Sequence, residues 1–106
     1  MNYRDANLKY VRAGAGKYLL FLNRKPTSWQ EGEDDEVVNG YNYDEVIVEA
    51  TDSNRDTLIS ALIHTRYSVD REISLLRQKD SKPTEYAEYN SFAETCKEII
   101  DEMLNR

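Results

Sequence analysis

Hydrophobic and polar positions in the first half of the chain follow the patterns of β-strands. Residues 17–22 form a short apolar run with two aromatic members, which is typical of a buried strand. Residues 41–50 alternate at first and end on the β-branched run 46–48, which favours a second strand. Residues 10–12 form another candidate strand, joined to the first through the glycine-containing turn 14–16. We therefore predict a small N-terminal antiparallel sheet of two to four short strands.

A polar stretch, residues 23–42, separates the two strongest strand candidates and contains Pro26, Gly32 and Gly40. A connection of this length without regular structure is unusual in a compact domain. Two alternatives remain open. Either residues 36–38 form a third short strand with Asn39-Gly40 as its turn, or this acidic segment is a mobile loop.

Two short helices are predicted between residues 53 and 79. Ser53 can cap the first helix, whose apolar positions recur at helical spacing: Leu58, Ile59, Leu62 and Ile63. Ser68 can cap the second, with Asp70 and Glu72 in its first turn. The apolar positions of this second helix share one face: Val69, Ile73 and Leu76.

The third predicted helix begins at Pro83, which suits a first helical turn, and extends to about residue 105. It carries an apolar stripe at spacings of three and four: Tyr86, Tyr89, Ala93, Cys96, Ile100 and Met103. We predict an α+β fold in which residues 1–106 form one domain, β-rich over residues 1–50 and helical over residues 53–105. The stripe over residues 89–103 should pack on the sheet and on the first two helices.

The net charge of the chain disfavours negatively charged binding partners. The chain has 14 Lys and Arg against 20 Asp and Glu, a net charge of −6, so nucleic acid and anionic membranes are poor first candidates. Residues 1–25 hold six basic groups and one acid, whereas residues 26–52 hold nine acids and no base. We interpret this segregation first as two blocks that fold face to face and screen each other. The alternative is a charged docking face.

The single cysteine, Cys96, excludes an internal disulfide. The longest wholly hydrophobic run, residues 18–22, is far too short for a membrane helix, and no signal peptide is visible at the N-terminus. These features predict a cytoplasmic protein.

No motif for catalysis, cofactor or metal binding passes its spacing test. Residues 14–17 read Gly-Ala-Gly-Lys but lack the remaining glycine and the hydroxyl residue of a phosphate loop. The acidic cluster 31–36 does not match the ligand spacing of a calcium loop. Cys96 and His64 are the only candidates for thiol catalysis, and Cys96 falls on the apolar stripe, where a thiol is usually inert packing. We therefore predict a protein that is not an enzyme, with no catalytic, cofactor-binding or metal-binding residues.

Aromatic residues provide the candidate binding positions. Trp29, the only tryptophan, falls in the predicted polar loop, where it either anchors a partner or, as we favour, folds back to cover the edge of the sheet. Tyr41 and Tyr43 share one strand face and are candidates for an exposed aromatic patch. The favoured function is non-catalytic binding of another protein through Trp29, Tyr41 and Tyr43. A homodimer that shares the long helix is an alternative to a self-contained core.

The helix pair in residues 53–79 also resembles a helix-turn-helix in outline. Residues 66–82 carry five basic groups against three acids. Arg71 and Arg77 are six positions apart, however, and do not clearly share one exposed face. A nucleic-acid-binding regulator is therefore the alternative function, and an ordinary helical hairpin the preferred interpretation.

Residues 58–100 carry a family resemblance in three short motifs: Arg66-Tyr67-Ser68-x-Asp70-x-Glu72, Leu75-Leu76-Arg77, and Glu85-Tyr86-Ala87-Glu88-Tyr89-x-x-Phe92-x-x-x-Cys96-Lys97. In these motifs the chain resembles small uncharacterised proteins of bacterial genomes and prophages. It is also loosely similar to helical C-terminal segments of phage tail-fibre assembly proteins. The resemblance implies an accessory or assembly factor derived from a phage or mobile element, and it implies no catalytic residue.

Overall fold

Four strands precede three helices in the computed structural model, which describes residues 2–32 and 36–106. Their bounds are β1 Asn2–Tyr3, β2 Tyr10–Gly14, β3 Lys17–Glu31, β4 Glu36–Glu49, α1 Arg55–Ile63, α2 Val69–Arg77 and α3 Pro83–Leu104. The strands form one antiparallel sheet in the order β1-β4-β3-β2. The α+β fold predicted from the sequence is therefore confirmed.

Residues 36–38 lie in a strand, as one of the two alternatives for the polar stretch 23–42 expected, but they begin β4 and do not form a separate short strand. Most of this stretch belongs to one long hairpin. β3 has 15 residues and β4 has 14, and they pair from Lys17 opposite Glu49 out to Glu31 opposite Glu36. Asn39-Gly40 is not a turn, since both residues lie within β4. The two strands satisfy each other's backbone groups where both side-chain faces are polar, and such strands show little hydrophobic alternation. Residues 33–35 of the acidic cluster lie outside the described residues.

A bulge divides this hairpin into two halves. Leu22 lies opposite Asp44 and Lys25 opposite Asn42, so Asn23 and Arg24 together face a single residue of β4. Asn23 adopts a φ of 52°, a left-handed conformation that asparagine tolerates. The half beyond the bulge, residues 25–31 with 36–42, is called the arm below. The radius of gyration is 17.4 Å, whereas a compact domain of this size has a radius of gyration of roughly 13 Å. The principal extents are 62 × 31 × 21 Å, so the molecule is elongated.

The core lies between the helices and one face of the inner half of the hairpin. Leu20, Leu22 and Val48 point to this side of the sheet. The predicted stripe of α3 packs against them and against α1 and α2, and its buried members are Tyr89, Ala93, Cys96, Ile100 and Met103. The packing predicted for the third helix is therefore confirmed.

The N-terminal segment crosses from one sheet edge to the other, between β1 and β2. Arg24 donates a hydrogen bond to the carbonyl oxygen of Ala6 in this segment. The side chain of Arg106, only 1% exposed, donates to the carbonyl oxygens of Leu8 and Phe21. The end of α3 is thereby tied to the crossing segment and to β3.

The two oppositely charged blocks meet in the sheet. Lys17 lies opposite Glu49, and Arg4 Nη2 is 2.7 Å from Glu31 Oε2. This arrangement agrees with the interpretation that the blocks screen each other. Both groups of the Arg4–Glu31 pair are more than half exposed, so the pair contributes little to stability.

Replacing Ile100 with alanine should lower the free energy of unfolding by about 2–5 kcal/mol, because Ile100 is fully buried and the change leaves a cavity. Ile47→Ala is the matched control. Ile47 is 60% exposed, and its replacement should change stability by about 0.5 kcal/mol or less. Urea unfolding followed by circular dichroism measures both. Equal losses in the two variants would contradict the assigned core.

Candidate functional site

Trp29 lies in β3, so its predicted position on a loop is wrong. It faces Val38 on β4, and its ring lies over Gly40. A Cβ added at Gly40 would come within 2.6 Å of Trp29 Cη2 and Cζ3, and it would also overlap the Tyr3 carbonyl oxygen. The half-buried indole therefore covers a glycine in the strand, which is the covering role considered for it. Contact between Trp29 and a partner stays a prediction.

The expected exposed patch of Tyr41 and Tyr43 is wrong, because Tyr43 is only 3% exposed. Its hydroxyl donates a 2.6 Å hydrogen bond to the Asp5 carbonyl oxygen in the crossing segment. Its ring makes edge contacts with Phe21 and Tyr3, at centroid distances of 5.7 and 5.9 Å. Tyr41 remains partly exposed.

Tyr41 is the member of the predicted pair that a partner can reach. It lies opposite Tyr3 of β1, and the Arg24 guanidinium sits 5.4 Å from the centroid of its ring. A cation over the ring face is a favourable contact, so Arg24 covers one side of the Tyr41 ring. Binding of a partner by Tyr41 stays a prediction.

Cys96 and His64 occupy different environments. Cys96 is 1% exposed in the core, and burial raises the pKa of its thiol to about 11. The thiol is therefore protonated at neutral pH and is not a nucleophile. His64 is the C-cap residue of α1 and is half-buried, with its Nε2 out of contact with solvent and 3.6 Å from Glu72 Oε1. His64 lines two open grooves beside β4, and Cys96 lines neither of them.

The larger of these grooves, about 590 Å³, lies between α1 and the end of β4. Its polar lining residues are Glu49, Thr51, Asp56, Thr57, Ser60 and His64. Within residues 2–32 and 36–106, no three His, Cys, Asp or Glu side chains are close enough to hold a metal ion. Nothing in this groove defines a reaction.

The side of α2 that faces the rest of the chain is not the apolar face predicted from its sequence periodicity. Leu75 is buried, Glu72 accepts a hydrogen bond from the Tyr89 hydroxyl, and Arg71 Nη2 is 3.0 Å from Glu85 Oε2. Burial, followed by the Glu72 hydrogen bond, raises the pKa of Tyr89 well above its usual value. The apolar stripe of α2 consequently points outward, with exposed fractions of 53%, 43% and 49% for Val69, Ile73 and Leu76.

A second apolar surface crosses the sheet on the face turned away from the helices. Val11, Leu19 and Ile47 lie side by side on β2, β3 and β4. Their neighbours Tyr18 and Leu20 point to the core, and alternation along a strand turns Leu19 to the other face. Val11 is 49% exposed, so this row is open to a partner.

The two apolar surfaces meet at the free edge of β4. β1 pairs with β4 only at residues 41 and 42, which leaves residues 43–49 as an edge. A groove of about 370 Å³ at this edge is lined by Ile47 and Val69, together with polar residues that include Glu49, His64 and Thr65. The two apolar surfaces, which share this groove, are together called the apolar band below, and its residues are Val11, Leu19, Ile47, Val69, Ile73 and Leu76.

The alternative of nucleic-acid binding by residues 53–79 stays a prediction. Arg66 stacks over Phe92 at 5.0 Å from the ring centroid, and Arg71 is paired with Glu85. These two guanidinium groups are therefore engaged within the chain. Arg77 is exposed at the end of α2.

The chain matches no protein-family model, no curated protein and no solved structure. Among the described residues, no helix combines the length and the apolar character that a membrane crossing requires. The class of the protein is defined by its fold: an α+β domain in which the helices pack on one face of the sheet. The resemblance to prophage proteins and tail-fibre assembly segments stays a prediction.

Gly40→Ala should displace Trp29 and shift its fluorescence emission to the red, because a methyl group at this position overlaps the indole ring. We expect a loss of about 1–3 kcal/mol in unfolding free energy from the forced repacking. The control is Asn39→Ala, on the neighbouring position of β4. An unchanged emission maximum in Gly40→Ala would show that the ring does not lie over the glycine.

The buried thiol should make stability fall at alkaline pH. Cys96 has a pKa of about 11 in the folded chain against a usual value of 9.0, so between these values the unfolded chain releases a proton that the folded chain keeps. The free energy of unfolding should therefore decrease as pH rises from about 9 to about 11. Urea titrations across this range measure it, with Cys96→Ala expected to give a shallower decrease. The same slope in both proteins would contradict the burial of the thiol.

Proposed function

We propose that this protein is a non-catalytic protein-binding domain that contacts another protein through the apolar band. The observation that supports the proposal is the clustering of exposed apolar side chains. Among the described residues, six large hydrophobic side chains are strongly exposed, and only Val37 on the arm lies outside the band; the others are Val11, Ile47, Val69, Ile73 and Leu76. Contiguous apolar surface of this kind marks interaction sites, whereas single exposed residues need no explanation.

The composition around the band also suits a protein partner. Along the strands, Lys17 and Glu49 flank the sheet row on one side and Glu45 flanks it on the other. Asp70 and Arg77 flank the helical portion. An apolar centre with a rim of both charge signs is the usual anatomy of a protein interface. Each half-exposed Ile, Leu or Val that a partner covers contributes about 1 kcal/mol.

The protonated, buried Cys96 thiol supports a binding role over thiol chemistry. A free cysteine without a partner in the chain also suits a reducing compartment, so we place the protein in the cytoplasm. The sequence resemblance alone supports the finer proposal of an accessory or assembly factor derived from a phage or mobile element.

Affinity capture from lysate of the source cells, with variants of the sheet row, tests the proposed function. Ile47→Lys and Val11→Lys should reduce recovery of the specific partner at least tenfold, since a charge replaces apolar contact at the centre of the surface. Val37→Lys is the matched control, because Val37 is 59% exposed on a strand of the same sheet but lies outside the band. Trp29→Ala in the same series tests the separate prediction that Trp29 contacts the partner.

Equal recovery from the wild type and both band variants would overturn the proposed surface. The absence of any specific partner of the wild type would overturn the function. Circular dichroism of each variant distinguishes loss of the surface from unfolding. The three positions changed to lysine are about half exposed or more, so these variants should fold as the wild type does.

A further inference from the structure

The side of α2 opposite its apolar stripe packs against α3. Leu75, Arg71 and Glu72 hold the inner side of this nine-residue helix against α3, through burial, an ion pair and a hydrogen bond. The stripe of Val69, Ile73 and Leu76 therefore faces outward in the single chain, and a partner can reach it without reorientation of the helix.

Two charges flank this stripe, one near each end of the helix. Asp70 lies in the first turn and Arg77 in the last, and both are exposed. Neither takes part in an ion pair or hydrogen bond with the described portion of the chain, although Arg71 and Glu72 on the inner side do. Residues seven apart lie on the same side of a helix, so Asp70 and Arg77 border the same flank of the stripe.

The apolar and charged positions are symmetric about Ile73. Val69 and Leu76 lie on either side of Ile73 along the helix, and so do Asp70 and Arg77. The midpoint of each pair lies within half a residue of position 73. In an antiparallel pair of identical helices, a given flank of one helix meets the same flank of the other, and its two ends are exchanged. The outer side of α2 is therefore complementary to itself.

We propose that a second copy of this chain docks on α2, with the two α2 helices antiparallel about a twofold axis at Ile73. Val69 then contacts Leu76 of the second copy, and Asp70 pairs with its Arg77. In a parallel twofold pair the flank with Asp70 and Arg77 would instead face the opposite flank of the second copy, so these two charges would not meet. The inference rests on the proposed function, because it names the occupant of the helical portion of the same apolar band.

Two and a half helical turns make a small contact, so the dimer is weak and concentration-dependent. Interfaces at the lower end of the size range, below about 1,200 Å² in total, form transient associations. The sheet row of the band, with Val11, Leu19 and Ile47, is not needed for the helix contact and stays free for the other partner.

Sedimentation velocity of the purified chain, from about 10 μM to about 1 mM, tests the dimer. The wild type should shift from monomer towards dimer across this range. Ile73→Glu should remain monomeric, because it places two carboxylates at the twofold axis, whereas Val37→Glu should behave as the wild type. A wild type that is monomeric throughout would overturn the inference, and so would an Ile73→Glu variant that associates normally.

Charge exchange tests the antiparallel pairing. Asp70→Arg alone and Arg77→Asp alone should each weaken self-association about tenfold or more, because two attractive pairs become two repulsive ones. An equimolar mixture of the two variants should recover association to within about threefold of the wild type, since opposite charges meet again in the mixed dimer. Failure of the mixture to recover would overturn the antiparallel arrangement.

The capture experiment with Ile47→Lys and Val11→Lys distinguishes this inference from the proposed function. A monomeric wild type whose partner capture still depends on Ile47 and Val11 would overturn the dimer and leave the protein-binding role in place. A wild type that dimerises through α2 but captures no other protein would support the second copy and overturn the role of the sheet row.

Discussion

The structure depends on burial along one face of the inner half of the β3–β4 hairpin. Leu20 and Val48 on this face meet Leu58 of α1 and Ile100 and Met103 of α3, and each of these side chains is at most 2% exposed. No described residue of the arm belongs to this core. The opposite sheet face, the outer side of α2 and the arm therefore lie outside this core, and their surfaces are available for contacts with other proteins.

A second, smaller packing unit supports the point where the hairpin leaves the core. The bulge at Asn23 and Arg24 and the crossing N-terminal segment bring Phe21, Tyr43 and Tyr3 together in edge contacts. The buried guanidinium of Arg106 closes this unit, 5.0 Å from the centroid of the Tyr43 ring. Tyr43 is therefore a structural residue. Of the three aromatic residues predicted to bind a partner, Tyr41 and Trp29 are the two that remain candidates.

The functional argument follows from what this one-sided arrangement leaves uncovered. α2 uses its polar groups Arg71 and Glu72 in the contact with α3 and turns its apolar stripe outward. The stripe meets the sheet row at the groove between Ile47 and Val69, so one band offers two kinds of contact. The helical portion is complementary to itself in charge, and the sheet row lies apart from it on the sheet face turned away from the helices. A weak dimer and a separate partner site are therefore compatible on one small domain.

Local pattern by itself determined the element types and the inner face of α3 as far as Met103. It also determined the Ser68 cap of α2, whose side chain accepts a hydrogen bond from the Arg71 backbone N–H. These features depend on residues a few positions apart, which the sequence displays directly. Periodicity placed Val69, Ile73 and Leu76 on one face of α2, but only the position of α3 decided that this face is outward. The full length of β3 and β4 and the burial of Tyr43 were likewise decided by tertiary structure. Strands with two polar faces carry no hydrophobic period, and the segment that covers Tyr43 lies almost 40 residues away along the chain.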